Sequence, residues 1–498
     1  MAAAAEATAA RSAPRLFIGG ESVAGEGESF AVVNPGTEET VAEVAGASAG
    51  QVEQAIKAAR RAYDTGSWSG LPAAQRGEAL RRLMAYLASR REWLIDLSAR
   101  EAGCPVGSMV MFAQVHAPLQ NGLDVIDLFQ KLPEFEENPL PFAERTTARG
   151  GVLQSLRRHM PVGVVAAISA YNYPFYTNLW KVLPALMAGN TVILRPSPLT
   201  PLAALIFGEA AQAAGLPAGV LNVVAEAGAE GAVTLSTHRD VDMVAFTGST
   251  SVGKQVMVQA SATMKRLQLE LGGKSAQIYL PDSLAGVGGA AAQVCFAHAG
   301  QGCALGTRIF VPEAEKAAAM QAMAAAFAQV VIGDPSDPRT TLGPVISAAQ
   351  RERCARYVAL AVEAGARVVC GGRAPPAPAR GFYFEPTILD TPDNANPAAQ
   401  EEIFGPVVSV IGYRDIDHAV KMANDSVYGL SGYVYGKDVK QAVAVASRLR
   451  TGTVNVNGGA FSAYASSGGW GSSGVGRERG VEGLRVYQQI QGMNIQAG

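Results

Sequence analysis

A chain of 498 residues, 48% hydrophobic and 17% charged with a formal net charge of -2, can hold two or three domains that each bury a core. That balance excludes a disordered or fibrous chain and offers no basic surface for nucleic acid or a membrane. Every long apolar run meets Asn, Lys or Pro before the roughly 20 residues a membrane helix needs.

The cysteines, Cys104, Cys295, Cys303, Cys354 and Cys370, are odd in number and lack CxxC spacing. This argues against a disulfide scaffold or a metal site and for a reducing, cytoplasmic setting. The opening MAAAAEATAARSAPR has Glu6 inside its alanine run. It reads as a disordered lead-in rather than a secretory signal, with a mitochondrial presequence as the weaker alternative.

Residues 16–34 alternate apolar and polar around Gly19-Gly20, as in a hairpin, and Asn34-Pro35-Gly36 makes a turn. Ser48 to Gln51 has capping-box spacing before a helix whose apolar face is Val52, Ala55, Ile56, Ala59 and Tyr63. A second helix, from about 72 to 90, buries Leu80, Leu83 and Leu87. The runs 142–149 and 151–158 around Gly150-Gly151 resemble a hairpin leaving the main body. The terminal segment 485–495 is suited to pair with it, and free edges of this kind predict a homo-oligomer.

From Gly163 the pattern becomes short β-rich runs at 163–168, 191–194, 221–224, 243–246 and 267–271, with helices such as 201–214 between them. This predicts an α/β fold with a doubly wound parallel sheet that binds a nucleotide at the carboxyl ends of its strands. The loop from Phe246 to Lys254 follows a strand and opens a helix, so its N–H groups and the helix dipole suit a phosphate. It is neither a P-loop nor GxGxxG. Beyond Gly272 the chain reads as a second α/β domain, with helices at 313–330 and 348–363, a strand at 407–411 and a Gly-Ser-aromatic segment, 458–476, suited to line a pocket.

Cys303 sits between Gly300-Gln301-Gly302 and Ala304, in a stretch too polar and Gly-rich for packed core. A lone cysteine is most often an inert small hydrophobe. Here it has company: Glu270 in LELGGKS and Asn172 in SAYNYPF complete a thiol, a carboxylate and a neutral hydrogen-bond donor, the parts acyl chemistry at sulfur requires.

PVGVVAAISAYNYPF, GNTVILRPSPLTP, FTGSTSVGK, LELGGKSA, GQGC, EEIFGPV and SSGVGRE stand in the order and spacing of the aldehyde dehydrogenase superfamily. The chain resembles it from about Leu16 to the C-terminus. The resemblance implies a Rossmann-like cofactor domain (1–135 and 160–271), an α/β catalytic domain (272–475) and a small β oligomerisation arm and tail (136–159 and 480–498). It implies Cys303 as nucleophile, Glu270 as base and Asn172 as oxyanion donor, with Lys181 and Glu478 as proton-relay members. The cofactor, NAD with NADP tolerated, would lie along Ile168, Ser169, Ala170, Tyr171, Arg195, Ser197, Gly228, Phe246, Gly248, Ser249 and Leu271. Glu402 would meet its nicotinamide ribose and Phe404 its ring.

The substrate set is Tyr173, Tyr176, Trp180, Gly302, Ala304, Phe461 and Tyr464. No Arg or Lys is expected at the tunnel mouth, so an apolar aldehyde (aliphatic, terpenoid or aromatic) fits best. A CoA-acylating relative, a betaine-type enzyme whose tyrosines cage a quaternary ammonium, and a cofactor-independent thiol esterase are the alternatives. His298 is read as structural because Glu270 fills the role of base. Departures from the family pattern fall at Arg195 and Pro198, where Lys and an acid are common. They recur at Ala225, where the adenine-site loop lacks its first glycine, and at SSGGWGSSG (466–474), which replaces an aromatic and a lysine. The first two put the cofactor's ribose end in doubt.

Overall fold

The computed structural model describes residues 13–146, 150–459 and 462–497. The predicted β-rich runs form five strands: β1 (Val164–Ile168), β2 (Thr191–Arg195), β3 (Leu221–Val223), β4 (Met243–Thr247) and β5 (Arg266–Glu270). They lie parallel in the order β3-β2-β1-β4-β5. Sequence order therefore reverses beside β1, which opens a crevice between β1 and β4 at the carboxyl edge. Every side chain of β1 and β2 is buried, as expected of a parallel sheet covered by helices on both faces. The sheet is completed by the hairpin Leu16–Ile18 and Glu21–Val23 on one edge and by Gly474–Val475 on the other.

Helices pack where their periodicity predicts. Ser48 accepts from Gln51 N and the Gln51 side chain accepts from Ser48 N, so the capping box closes on the helix Ala49–Asp64. The helix Ala73–Ser89 buries Leu80, Leu83 and Leu87. Three further helices matter for the site: α1 (Pro174–Met187), α2 (Leu202–Ala214) and α3 (Thr250–Ser261). All of α1 is buried except Tyr176, so it is a central pillar rather than a surface helix.

A second sheet has seven strands in the order Arg367–Cys370, Thr387–Asp390, Val407–Tyr413, Arg308–Pro312, Ala276–Tyr279, Ser431–Tyr435 and Thr453–Val456. All its pairings are parallel except the first. The helix predicted at 313–330 is Lys316–Phe327, and the one at 348–363 is Ala348–Glu363.

The third sheet is the arm, and there the expectation needs correcting. Val152–Pro161 pairs with Gln488–Ala497 along ten register positions, as expected, and also with Phe135–Glu137; among the described residues the hairpin with 142–149 is reduced to one bridge, Thr146 to Val152, with Leu153 N–H donating to Arg145 O. The chain before it runs Asn138-Pro139-Leu140-Pro141, and proline cannot donate to a ladder. Phe142–Glu144 is a single 3-10 turn instead, and residues 147–149 lie outside the described residues. The predicted N-terminal lead-in also lies outside them, apart from its last residues. Among the described residues no helix is long and apolar enough to cross a membrane.

Candidate active site

Ile168 ends β1, and Ser169, Ala170 and Tyr171 carry the chain over the crevice to Asn172. Ser169 is buried and its hydroxyl donates to Asn178 Oδ1 at 2.5 Å, which fixes this turn against α1. Across the crevice, Phe246 and Gly248 follow along β4, and Ser249 caps α3 by accepting from Val252 N at 3.3 Å. The positive end of α3 thus faces the switch point, where an anionic phosphate is favoured. Gly248 has no room for a side chain, since a Cβ would stand 2.4 Å from the Phe246 ring.

The structure brings Cys303, Glu270 and Asn172 together from separate parts of the chain. Glu270 is the last residue of β5, held between Thr247 and Gly474 in the sheet. Gly474 must be glycine: its φ is +144°, and a Cβ would lie 2.0 Å from the Leu269 carbonyl. Three residues past Glu270, a Cβ on Gly273 would stand 2.4 Å from the Cys303 carbonyl, so the two loops touch at backbone distance. Asn172 is buried, and its Nδ2 donates to Gln301 O at 2.8 Å, two residues before the thiol. Its own carbonyl accepts from the buried Gln114 at 2.7 Å. A primary amide has two N–H donors, and this leaves one for a second acceptor.

The electrostatics are those of buried acids facing buried lysines, Lys181 and Lys274. Lys181, fully buried on α1, donates to Glu478 Oε1 at 3.0 Å and Gln268 Oε1 at 3.3 Å. Burial, and next the Glu478 carboxylate, push Glu270 up to about 8, while Lys181 and Arg477 pull it back. Glu270 Oε1 is buried with no hydrogen-bond partner. Burial pushes the Cys303 thiol up to about 12, with the carboxylates of Glu402, Glu270 and Glu478 adding to the effect. At rest the sulfur is protonated. His298 is fully buried in a left-handed turn (φ +51°), edge-on to Tyr173, and burial lowers it to about 4. A neutral ring locked in this way fits a packing role.

Glu402 Oε1 accepts from Gly273 N at 2.8 Å, and Phe404, at φ +62°, sets its ring edge-on to Tyr171 at 5.9 Å. Gln350, from the helix Ala348–Glu363, holds that loop through the carbonyls of Ile403 and Phe404. Leu271 is buried, its N–H bonded to Ser473 O. At the far end of the crevice Arg195 donates from Nε to Glu226 at 2.8 Å and from a terminal nitrogen to Gly228 O, whereas Ser197 caps its own turn through Leu199 N. Arg195 is therefore already engaged by a buried carboxylate that sequence reasoning did not single out.

On the substrate side, the rings of Tyr173 and Tyr176 lie 6.3 Å apart, and those of Tyr176 and Trp180 5.9 Å apart. Gly302 and Ala304 flank the sulfur half-exposed, and the Ala304 carbonyl accepts from Tyr433 Oη at 2.9 Å. Tyr464 is exposed and hydrogen-bonds Asp124; Phe461 lies outside the described residues. The expectation of no Arg or Lys here is corrected by Arg479, whose guanidinium stacks on both Tyr176 and Trp180. In sequence Arg479 was masked by its neighbour: Arg477-Glu478 matched a motif, and the residue after it drew no notice. Among the described residues no group of three or more His, Cys, Asp or Glu is placed to hold a metal.

A doubly wound nucleotide crevice whose carboxyl edge carries a thiol, an amide and a raised carboxylate defines a cysteine-dependent, nucleotide-linked class of enzyme. The aldehyde dehydrogenase family profile matches residues 22–493, and the chain belongs to that family. It is 34% identical over 486 residues to betaine aldehyde dehydrogenase of Bacillus subtilis, with 96% of each chain covered. Among solved structures it is similar to betaine aldehyde dehydrogenase of Staphylococcus aureus in complex with NAD+ (TM-score 0.92, 34% identity, 97% and 98% of the two chains). It is also similar to a variant of aldehyde dehydrogenase C of Pseudomonas syringae in complex with NAD+ and octanal (TM-score 0.90, 36% identity, 97% and 96%).

Glu226 accepts from Arg195, Gly231 N and Ala232 N, so Glu226→Ala leaves a buried guanidinium and two helix N–H groups without their acceptor. Removing one partner of a buried pair costs about 3–5 kcal/mol. A lowered midpoint of thermal unfolding is the expected result, and calorimetry measures it.

Proposed function

We propose that this chain oxidises an aldehyde to the carboxylic acid, with Cys303 as nucleophile and NAD+ as cofactor. The observation that carries this reading is the meeting of Cys303, Glu270 and Asn172 at the edge of the nucleotide crevice. The residues present suit the cofactor: the positive end of α3 lies at the switch point, and Glu402 is aimed into the crevice by Gly273 N–H. When bound, NAD+ supplies the acceptor for the hydride.

The chemistry of the chain's own groups follows. The thiol must lose a proton before it attacks, and Glu270, raised to about 8, is in its ionised form a stronger base than an ordinary carboxylate, the ionised fraction growing as pH rises through about 8. The sulfur adds to the carbonyl carbon, and the new oxyanion is met by the free N–H of Asn172, a neutral donor that does not trap it as a cation would. The resulting thiohemiacetal loses hydride from carbon and becomes a thioester on Cys303. Glu270 passes the thiol's proton on and, ionised again, takes one from water, whose oxygen adds to the thioester carbon and expels the Cys303 thiolate, releasing the acid. The proton leaves Glu270 by way of Glu478 and Lys181, linked at 3.0 Å. The aromatic row of Tyr173, Tyr176 and Trp180 supports an aldehyde with an apolar body. The complex of the Pseudomonas syringae relative with octanal supports the same reading.

We further assign the nucleotide crevice to residues up to 271, the nucleophile's domain to 272–475, and an oligomerising arm to the third sheet. Its edge strand Gln488–Ala497 leaves Ile490 and Ile495 exposed, as a strand awaiting a partner chain does. Light scattering should give a mass two or four times that of the chain. A monomer would overturn the arm's role.

Cys303→Ala is expected to abolish aldehyde oxidation while NAD+ binding, read by fluorescence titration, is retained; comparable turnover by the variant would remove the proposed nucleophile. Thioester hydrolysis, followed by single-turnover product release, should rise with pH through about 8 as Glu270 ionises. Glu270→Gln should flatten that rise. Lys181 favours the ionised form of Glu270, so in Lys181→Met the rise should move to higher pH, by about one pH unit or more.

A further inference from the structure

Tyr173, Tyr176 and Trp180 follow the spacing of one helical face, and Tyr176 is the single residue of α1 that is not buried. The head of this row lies against the nucleophile's loop: the Tyr173 ring is edge-on to His298 at 5.7 Å, and Asn172 beside it donates to Gln301 O at 2.8 Å, two residues before Cys303. The tail of the row, one to two turns or roughly 5–10 Å further along the helix, stands beside Arg479. The Arg479 guanidinium carbon is 5.3 Å from the centroid of Tyr176 and 5.4 Å from that of Trp180, and a terminal nitrogen donates to Tyr176 Oη.

The side chain is aimed by its backbone. Glu478 is tied to Lys181 and, through both main-chain groups, to Ser467, and Arg479 itself adopts φ +60° before the helix Gly480–Arg485. Burial lowers the guanidinium to about 10, so it carries its charge at neutral pH. Trp180 adds a buried Nε1–H with no acceptor among the described residues.

Aromatic faces attract cations, and paired faces of this kind recognise trimethylammonium groups. Here the chain's own cation already covers the faces of both rings. A second cation arriving with a substrate would find those faces taken and a like charge within a few ångströms, in surroundings that screen poorly. A neutral or anionic tail meets no such opposition, and an anionic one gains an attractive partner.

We propose that Arg479 is a charge filter in the substrate passage, rejecting aldehydes with a quaternary ammonium tail and admitting those with a neutral or carboxylate-bearing tail. The proposal rests on the aldehyde-oxidising reading above and names the substrate class of the same site. It separates this chain from the betaine aldehyde dehydrogenases it is similar to.

The test compares kcat/KM for betaine aldehyde and for its neutral isostere 3,3-dimethylbutanal in the intact protein, Arg479→Leu and Arg479→Lys. The intact protein should favour the neutral compound at least tenfold. Arg479→Leu should reduce that preference at least threefold by raising activity on betaine aldehyde, and Arg479→Lys should retain it. A second measurement needs no turnover: the rate at which Cys303 reacts with trimethylammonioethyl, hydroxyethyl and sulfonatoethyl methanethiosulfonate, corrected with Cys303→Ala. The expected order is anionic, then neutral, then cationic, and Arg479→Leu should narrow the neutral-to-cationic ratio at least threefold. A change of less than threefold in that thiol ratio overturns the filter, whatever turnover does. Absence of turnover of every aldehyde, with thiol discrimination intact and lost in Arg479→Leu, overturns the oxidation reading and sustains the filter.

Discussion

The structure depends on burying several ionisable groups around one sulfur without letting them neutralise one another. Burial first, and then Glu402, Glu270 and Glu478, hold the Cys303 proton in place, while Lys181 beside Glu478 and Lys274 beside Glu402 offset part of the negative charge. Isolated buried charges are costly, so each group must be tied down by specific partners. Glu478 has Lys181, Glu402 has the N–H of Gly273, and Glu270 keeps one oxygen unpartnered. That free oxygen has no structural reward and is what a base for water requires.

Such a cluster persists only if its backbone is rigid, and the rigidity comes from close approach. The segment after 458 pairs through Trp470–Gly471 with Tyr428–Gly429 and through Gly474–Val475 with β5, so one strand of chain joins both parts of the site. Ser473 continues the seam by donating to Gly272 O at 2.7 Å and accepting from Gly429 N at 3.0 Å. Glycine at 273 and 474 removes the side chains that would hold these strands apart. The sharp placement of Glu270 beside the Cys303 loop is thus a packing result, obtained with backbone rather than with long side chains.

The sequence made the elements around the site legible because parallel strands buried on both faces are continuous apolar runs and their helices are strongly periodic. β1 to β5 and the helix Ala348–Glu363 fall where those patterns put them. The arm's pairing with the C-terminal segment was legible in its free polar edge, but its second partner, 135–137, was not, and the expected hairpin with 142–149 shrinks to one bridge because prolines spoil that run. The thiol, carboxylate and amide were visible as isolated polar residues in glycine-rich turns. Glu226, Gln114 and Arg479 were not, because a charge or amide in a polar loop looks solvated until the fold buries it. Nothing local distinguishes Arg479 from a surface arginine; its role in the passage comes from Tyr176 and Trp180, some 300 residues earlier in the chain.

At both ends of the site an arginine is held by partners from the protein. At the substrate end the rings of Tyr176 and Trp180 and the Tyr176 hydroxyl attract the Arg479 cation without cancelling its charge. At the cofactor end Arg195 is matched by a full carboxylate. Glu226 spends Oε1 on Arg195 and Ala232 N and Oε2 on Gly231 N, so the pair presents little net charge to a ribose. With Pro198 in place of an acid, that end has neither the carboxylate that would repel a 2'-phosphate nor a guanidinium free to clamp one. Charge therefore has little to act with at the cofactor end, whereas the charge of Arg479 lies in poorly hydrated surroundings, where it acts strongly.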